Sequence, residues 1–148
     1  MDLTRRYMTY AADFERTLRD GDWDRLVQYF TEHAVFEVKN ASFACRLEGR
    51  DAVLAGLRKS VTGFDLRCDS RRPNVTRGPV LHDGRVEMDW TVTYGIADAP
   101  KFVLVGGSVA EYQEDRIHYL FDRYPDGMSD EAMAWSRAYA PGFDASYV

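Results

Sequence analysis

The 148-residue sequence predicts an α+β protein in which a long, curved and mostly antiparallel sheet wraps around N-terminal helices. Two patterns carry this prediction. Apolar residues recur at helical spacing near the start of the chain, and they alternate with polar residues in much of the second half. A short strand and another helix lie between these regions, and an extra helix follows the last strand. We therefore expect a single domain over residues 1–148.

The first three helices are predicted from their apolar stripes and their end signals. The first spans about residues 3–19, and its stripe consists of Leu3, Tyr7, Tyr10, Ala11, Phe14 and Leu18. Gly21 interrupts the pattern, and Asp22 is then the candidate N-cap of a short second helix that ends at Phe30. A third helix is expected over residues 49–61.

Four strands are expected: three over residues 34–38, 85–96 and 101–114, and a last one within residues 114–124, where a turn precedes it. An irregular stretch through Cys45 follows the first of them. The second strand alternates cleanly, with one face formed by Val86, Met88, Trp90, Val92 and Tyr94. In the third strand, Gly106 and Gly107 allow a bulge or a bend. A C-terminal helix over residues 129–139 and an aromatic-containing tail follow.

The charge of the chain disfavours several classes of partner. The net charge is −5 and the isoelectric point is near 5.2, which argues against nucleic acid and anionic membranes. The one basic run, "LRCDSRRPNVTRG", is broken by Asp69 and Pro73, so we interpret it as a solvated hairpin. No apolar stretch approaches the roughly 20 residues of a membrane span.

The two cysteines and the N-terminal segment indicate the cellular setting. Cys45 and Cys68 are too few for a disulfide framework, and no histidine lies at metal-ligand spacing beside them. The N-terminal residues contain no apolar signal core. We expect a reduced, cytoplasmic protein that uses neither a metal nor a cofactor.

Four segments resemble the nuclear transport factor 2-like superfamily, also called SnoaL-like, in its order and at its spacings. They are "RDGDWDRLVQYFTEHAVFEV", "LEGRDAVLAGL", "DGRVEMDW" and "EDRIHYLFDRY", within about residues 5–126. The resemblance implies a cone-shaped α+β barrel and a homodimer formed through the outer sheet face. The superfamily contains isomerases, epoxide hydrolases, dehydratases, polyketide cyclases and non-catalytic binding or dimerisation modules, so the fold alone does not give the function.

The resemblance excludes two of these chemistries in their usual form. The positions that carry proton-handling groups in ketosteroid isomerases correspond to Phe14, Val38 and Val105, which cannot exchange protons. The limonene-epoxide hydrolase positions retain one acid out of five residues, namely Phe36, Val38, Trp90, Val92 and Asp122. The tyrosine, aspartate and histidine set of scytalone dehydratases is not visible. SnoaL-type polyketide cyclases use a late aspartate, which could be Asp122 or Asp126.

The same comparison predicts which residues line the cavity of the barrel. The matched positions that point inward are Phe14, Phe36, Val38, Trp90, Val92, Val105 and Asp122. Strand alternation adds Met88, His118, Leu120 and Tyr124. The resulting pocket is apolar and aromatic with one acid and one imidazole, which is typical of a site for an apolar small molecule.

Three residues are candidates for catalysis. Asp122 on an apolar wall should have a raised pKa and could act as general acid or base, or it could pair with an arginine or a tyrosine hydroxyl, or face solvent. His118 could share a substrate with Asp122 or simply pack in the wall. Tyr10, on the stripe of the first helix, could donate a hydrogen bond to a ligand oxygen or belong to the core.

Two functions follow from these residues. The first is a cofactor-independent enzyme in which Asp122 transfers a proton during cyclisation, isomerisation or dehydration of an apolar, oxygen-bearing substrate. The alternative is a non-catalytic ligand-binding or dimerisation module of the same fold. The C-terminal helix and tail could cover the cavity, reach across a dimer or pack on the barrel.

Overall fold

Three α-helices and six strands follow one another in the described part of the chain, residues 1–40 and 43–148 of a computed structural model. The helices are α1 (Leu3–Asp20), α2 (Arg50–Gly63) and α3 (Met128–Tyr139). The strands are β1 (Phe30–Lys39), β2 (Ala44–Glu48), β3 (Ser70–His82), β4 (Arg85–Gly95), β5 (Phe102–Gln113) and β6 (Arg116–Arg123). Short 3₁₀ helices at Trp23–Tyr29 and Asp65–Arg67 complete the fold.

All six strands form one curved sheet in the order β2–β1–β6–β5–β4–β3. Neighbouring strands are antiparallel except β1 and β6, which run parallel. The sheet does not close, so β2 and β3 are its edges. The predicted α+β class, with a curved and mostly antiparallel sheet around the N-terminal helices, is confirmed.

The predicted first helix is confirmed as α1, with clear signals at both ends. The Asp2 side chain accepts a hydrogen bond from the Arg5 N–H at 3.1 Å, and Gly21 ends the helix in a left-handed conformation with φ of 76°. Asp22 occupies the predicted N-cap position of the second helix, but its side chain makes no capping hydrogen bond. The segment after it forms a 3₁₀ helix and not an α-helix.

Two strands occur where the sequence predicted irregular structure or a hairpin. Strand β2 lies in the stretch through Cys45, of which residues 41 and 42 are outside the described part, and it pairs with β1. The basic run belongs to a solvated hairpin, as predicted: it contains most of β3, which pairs with β4 from Ser70 to His82 and is exposed at most of its positions. Pro73 lacks a backbone N–H, and β3 tolerates it because this strand lies at the edge of the sheet.

The inward face of β5 differs from the prediction by one residue. Trp90 and Met88 of β4 lie opposite Gly106 and Ser108, and residues directly opposite each other share a face of the sheet. Val105 therefore points outward and is 39% exposed, so its predicted inward orientation is wrong. The pairing of β4 with β5 is unbroken, so the two glycines do not produce the predicted bulge there.

A bulge in β6 explains the second correction. Glu111 lies opposite Tyr119 and the next residue of β5 lies opposite Ile117, so His118 is an extra residue in β6. The His118 side chain is 45% exposed, and its Nε2 lies 4.0 Å from Glu111 Oε2. The predicted inward orientation of His118 is wrong because the bulge interrupts the alternation on which the prediction depended.

The C-terminal helix packs on the same sheet, and the tail returns along α2. Trp135 of α3 is buried, stacks on Phe102 at 5.6 Å and donates its indole N–H to the Pro100 carbonyl at 2.7 Å. Residues 142–148, the C-terminal segment, lie against α2, where the Asp144 N–H bonds to the Gly63 carbonyl at 3.0 Å. The helix and the segment thus pack on the chain's own fold, and residues of both also line the cavity that the sheet encloses.

Candidate functional site

A cavity of about 830 Å³ lies between the concave face of the sheet, the three helices and the C-terminal segment. Its volume is in the range of small-molecule sites. Ten of the twelve predicted site residues line it: Tyr10, Phe14, Phe36, Val38, Met88, Trp90, Val92, Leu120, Asp122 and Tyr124. His118 and Val105 are the two that do not, in agreement with their outward orientation. Asp126, the alternative late acid, is exposed and also lies outside the lining.

Asp122 is held by two hydrogen bonds in series across the sheet. The Ser108 hydroxyl donates to Asp122 Oδ1 at 2.7 Å, and the Trp90 indole N–H donates to Ser108 Oγ at 3.0 Å. Because the indole occupies an acceptor site of the serine oxygen, the serine proton is directed to the carboxylate. Among the described residues, no group hydrogen-bonds to Asp122 Oδ2 and no arginine or lysine pairs with it.

The bulge at His118 places Asp122 beside Ser108. The hairpin between β5 and β6 begins with Gln113 opposite Arg116, and an unbroken ladder from there would bring Asp122 opposite Gly107. The extra residue shifts the register by one, so Asp122 lies opposite Ser108 on the cavity face. The bulge that turns one predicted residue outward thus also brings the other to its hydrogen-bond partner.

Gly106 provides the space in which the Trp90 indole reaches Ser108. A Cβ atom at this position would lie 2.6 Å from Trp90 Cη2, so any side chain here would displace the ring. On the outer face, Gly107 gives similar room to Arg123, which crosses β5 to bind Asp89 at 2.9 Å and Glu87 at 3.0 Å. The two glycines therefore serve side chains that cross β5 on opposite faces.

Burial dominates the protonation behaviour of Asp122. Loss of hydration raises the pKa of this carboxyl to about 6, and the Ser108 hydrogen bond opposes that rise by stabilising the charged form. Burial also raises the pKa of Tyr7, and the charge of Asp122 raises it further. The pKa of Tyr10 is raised well above its usual value for the same two reasons, with Tyr7 contributing. Both phenols therefore remain neutral hydrogen-bond donors.

A second polar cluster lines the cavity and was missed by sequence reasoning. Arg71 binds Asp65 and Glu15, each at 2.6 Å, and the Tyr94 hydroxyl donates to Asp65 Oδ2 at 2.9 Å. Arg71 faces inward because it lies opposite Tyr94 in the β3–β4 ladder. The sequence signal for this orientation is that Arg71, Pro73 and Val75 occupy alternate positions. This spacing predicts a shared face only if the segment is known to be a strand. Ser108 was missed because Val105, and with it the odd-numbered residues of β5, was predicted to lie on the inward face. The even-numbered residues, including Ser108, are the ones that face the cavity.

The described residues give no indication of a metal centre or a membrane span. Within residues 1–40 and 43–148, no group of three or more His, Cys, Asp or Glu side chains is arranged to hold a metal ion. None of the helices in this part of the chain is both long and apolar enough to cross a membrane. The polar side chains that line the cavity include those of Asp122, Ser108 and the Arg71 cluster.

The fold and the cavity define a class of α+β proteins that enclose a small-molecule-sized space on the concave face of a curved sheet. The SnoaL-like domain pattern matches residues 11–120, and the chain belongs to this family. The predicted resemblance is therefore confirmed. Among proteins with curated descriptions, none matches the sequence.

Solved structures share this fold at low sequence identity. A candidate isomerase from Bacillus subtilis is 19% identical with a TM-score of 0.64, and 92% of this chain and 98% of that one are covered. Bal32a, from a soil-derived mobile gene cassette, is 16% identical with a TM-score of 0.67 and coverages of 90% and 99%. A candidate polyketide cyclase from Xanthomonas campestris pv. campestris is 19% identical with a TM-score of 0.60 and coverages of 90% and 98%.

Replacing Ser108 by alanine should raise the pKa of Asp122 by about one unit, because burial then acts without an opposing hydrogen bond. An NMR titration of the Asp122 carboxyl carbon measures the change. Ser136→Ala is the matched control, since Ser136 also lines the cavity but its side chain makes no hydrogen bond to Asp122. An unchanged or lowered pKa in Ser108→Ala would contradict this account of the site.

Replacing Asp122 by asparagine should stabilise the protein at neutral pH. The folded pKa of about 6 lies above the ordinary 3.8, so folding takes up a proton between these values and stability falls as pH rises through that window. The loss is complete above pH 6 and is about 3 kcal/mol. Asparagine has no charged form to bury, so the melting temperature of this variant at pH 7.5 should exceed the wild-type value by roughly 6–12 °C.

Thermal melts of Asp122→Asn and wild type between pH 4 and pH 7.5 test this expectation. The difference in melting temperature should shrink toward zero as the pH approaches 4, because the folded carboxyl is then protonated and the unfolded carboxyl is close to its own pKa of 3.8. Asp126→Asn removes an exposed carboxyl near the same strand and should show no such trend. A constant difference across the pH range would refute the assignment of a raised pKa to Asp122.

Proposed function

We propose that the protein is a cofactor-independent enzyme in which Asp122 transfers a proton on a compact, apolar, oxygen-bearing substrate. The observation that carries the proposal is the Asp122 carboxyl group on a mostly apolar wall, with Oδ1 held by Ser108 and Oδ2 without a protein partner among the described residues. The carboxyl groups of Asp65 and Glu15, which also line the cavity, are paired with Arg71. Isomerisation, cyclisation and dehydration are the reaction types that such a group supports. The candidate isomerase and candidate polyketide cyclase among the structural neighbours agree with this range.

The proposed chemistry begins at neutral pH with Asp122 mostly ionised, since its pKa is about 6. Oδ2 accepts a proton from a carbon beside a substrate carbonyl, and the electron pair of the broken C–H bond moves onto the carbonyl oxygen. Tyr10 or Tyr7 donates a hydrogen bond to that oxygen as its negative charge grows. The proton then returns from Asp122 to another atom of the substrate, which restores the carboxylate.

Ser108 and Trp90 act in this proposal as positioning residues. The serine fixes the rotation of the carboxyl group, so that Oδ2 points into the cavity. The indole fixes the serine in turn. A base that is already oriented loses no entropy when the substrate binds, and this contributes to the rate.

Deuterium exchange tests proton transfer without knowledge of the natural substrate. A panel of apolar cyclic ketones and β-diketones is incubated in D₂O with wild-type protein, and mass spectrometry measures the gain of deuterium at the acidic carbon. We expect exchange above background for at least one compound and a loss of at least 100-fold in Asp122→Asn. The rate should rise with pH through about 6, following the ionisation of Asp122.

His118→Gln is the control on the same strand, because His118 lies outside the cavity lining and should not affect exchange. A variant of Asp122 that retains wild-type exchange would exclude this residue as the base. Exchange abolished equally by His118→Gln would show that the outward placement of His118 misses its role.

A non-catalytic ligand-binding module is the second candidate. It is favoured by the apolar residues Phe14 and Val38, which line the cavity at positions where the related isomerases carry proton-handling groups. The exchange assay separates the two candidates when combined with a binding measurement on the same compounds. Saturable binding with no deuterium gain for any bound compound would favour the module.

We also infer a homodimer that forms through the outer face of the sheet. Val103 and Val105 of β5 are 46% and 39% exposed there, beside Thr91 and Thr93 of β4. Light scattering should give the mass of two chains for wild type and of one chain for Val105→Lys, which places a charge in the apolar patch. Leu66→Lys, at an exposed site next to α2, is the control that should remain dimeric. A monomer at high wild-type concentration would exclude this dimer.

A further inference from the structure

The C-terminal segment, residues 142–148, is bound along α2 by side-chain and backbone contacts. The Ser60 hydroxyl donates to the Ala145 carbonyl at 2.6 Å, and Lys59 Nζ donates to Ser146 Oγ at 2.8 Å. Arg67 donates to the Gly142 carbonyl at 2.8 Å, and its guanidinium lies 4.2 Å from the centre of the Phe143 ring. These contacts fix the path of the backbone over seven consecutive residues.

The surface of α2 is shaped to receive this segment. A Cβ atom at Gly63 would collide with the Asp144 carbonyl oxygen, and one at Gly56 would approach the Tyr147 carbonyl oxygen to 3.1 Å. Glycine is otherwise unfavourable inside a helix by roughly 0.5–1 kcal/mol relative to alanine. Close approach of the segment gives Gly63 a structural reason, whereas at Gly56 the Leu47 side chain lies closer than the segment does.

Tyr147 carries the segment into the cavity. Its ring lies 5.1 Å from that of Phe36 and 6.3 Å from that of Phe43, and it is part of the lining. Phe36 is fully buried and lies opposite Leu120 of β6, whereas Val38, the next inward residue of β1, lies opposite Asp122. The tyrosine ring thus covers the part of the wall that adjoins the proposed base.

The hydroxyl of Tyr147 is a neutral donor in this position. Burial raises the pKa of Tyr147, and the negative charge of Asp122 raises it further, which agrees with the two groups facing the same space. The segment lies beyond residues 11–120, the part of the chain that matches the family pattern.

We propose that Tyr147 is a specificity-determining residue of the cavity. Its ring, which packs on Phe36, offers a face on which a flat apolar ligand stacks, and its hydroxyl binds an oxygen of that ligand. The inference rests on the proposed function only in its use of the same cavity. It names the ligand class more narrowly, as a planar molecule with a hydrogen-bond acceptor. It also gives the C-terminal segment a role in binding that is separate from catalysis by Asp122.

Nile red, a planar apolar dye with a carbonyl oxygen, is the probe for the test. Fluorescence titrations give its Kd for wild type and for the variants Tyr147→Phe and Tyr147→Ala. We expect Tyr147→Phe to weaken binding about fivefold through loss of one hydrogen bond, and Tyr147→Ala to weaken it by more than tenfold. Tyr139→Phe and Tyr139→Ala are matched controls, since this tyrosine of α3 is 43% exposed and outside the lining, and both should stay within twofold of wild type.

Tyr147 variants within twofold of the Tyr139 variants would overturn the proposal, as would failure of the wild-type chain to bind Nile red. Hydrogen exchange on the wild-type chain gives an independent result if Tyr147→Ala does not fold. The dye should slow exchange of the Asp144 and Ser146 amides, which are hydrogen-bonded in the docked segment. Slowed exchange in β6 without any change in residues 142–148 would count against it.

Failure of this inference can be told apart from failure of the proposed function. Deuterium exchange by Asp122→Asn tests the proposed function, whereas the Nile red Kd of the Tyr147 variants tests this inference. If Asp122→Asn keeps its exchange activity while Tyr147→Ala loses affinity, the enzyme proposal fails and the Tyr147 inference stands. If exchange depends on Asp122 but the Nile red Kd is unchanged in the Tyr147 variants, the enzyme proposal stands and the Tyr147 inference fails.

Discussion

The register between β5 and β6 is the constraint on which the candidate site depends. One extra residue, His118, sets Asp122 opposite Ser108 on the concave face, where the ladder without it would place Asp122 opposite Gly107. The orientation of the carboxyl, its hydrogen bond to Ser108 and its access to the cavity all follow from that shift. A bulge beside a functional group is a common means of re-aiming one side chain without changing the rest of a sheet.

The buried acid opposes the stability of the fold at neutral pH. If this position had only a structural role, an apolar side chain like those that line most of the cavity would be expected, because its burial does not lower the free energy of unfolding. The next residue in the chain, Arg123, differs from Asp122 in this respect, because its charge is paired with those of Glu87 and Asp89 on the outer face. An acid that is left without a cationic partner among the described residues is typical of a functional position.

The sequence predicted the elements that follow a regular period and failed where the period is broken. The alternation of β4 is uninterrupted, so Val86, Met88 and Tyr94 are buried as expected. The bulge at His118 leaves no mark in the composition of β6, and it is visible only in the pairing with β5. Strand β3 is polar and contains Pro73, and its identity depends on pairing with β4 over 13 residues that no local pattern reveals. Position Tyr147 could not be assigned because a tail carries no period at all.

Gly106 and Gly107 make β5 a strand with no side chains at two adjacent central positions. Glycine restricts φ and ψ less than any other residue, so these two positions do not themselves stiffen the backbone of β5. Side chains of the neighbouring strands restrain β5 at these positions. The Trp90 ring of β4 lies across one face and the Arg123 side chain of β6 lies across the other. A substitution on the outer face, such as at Arg123, would therefore remove one of these restraints on β5 and could shift Ser108 within the cavity.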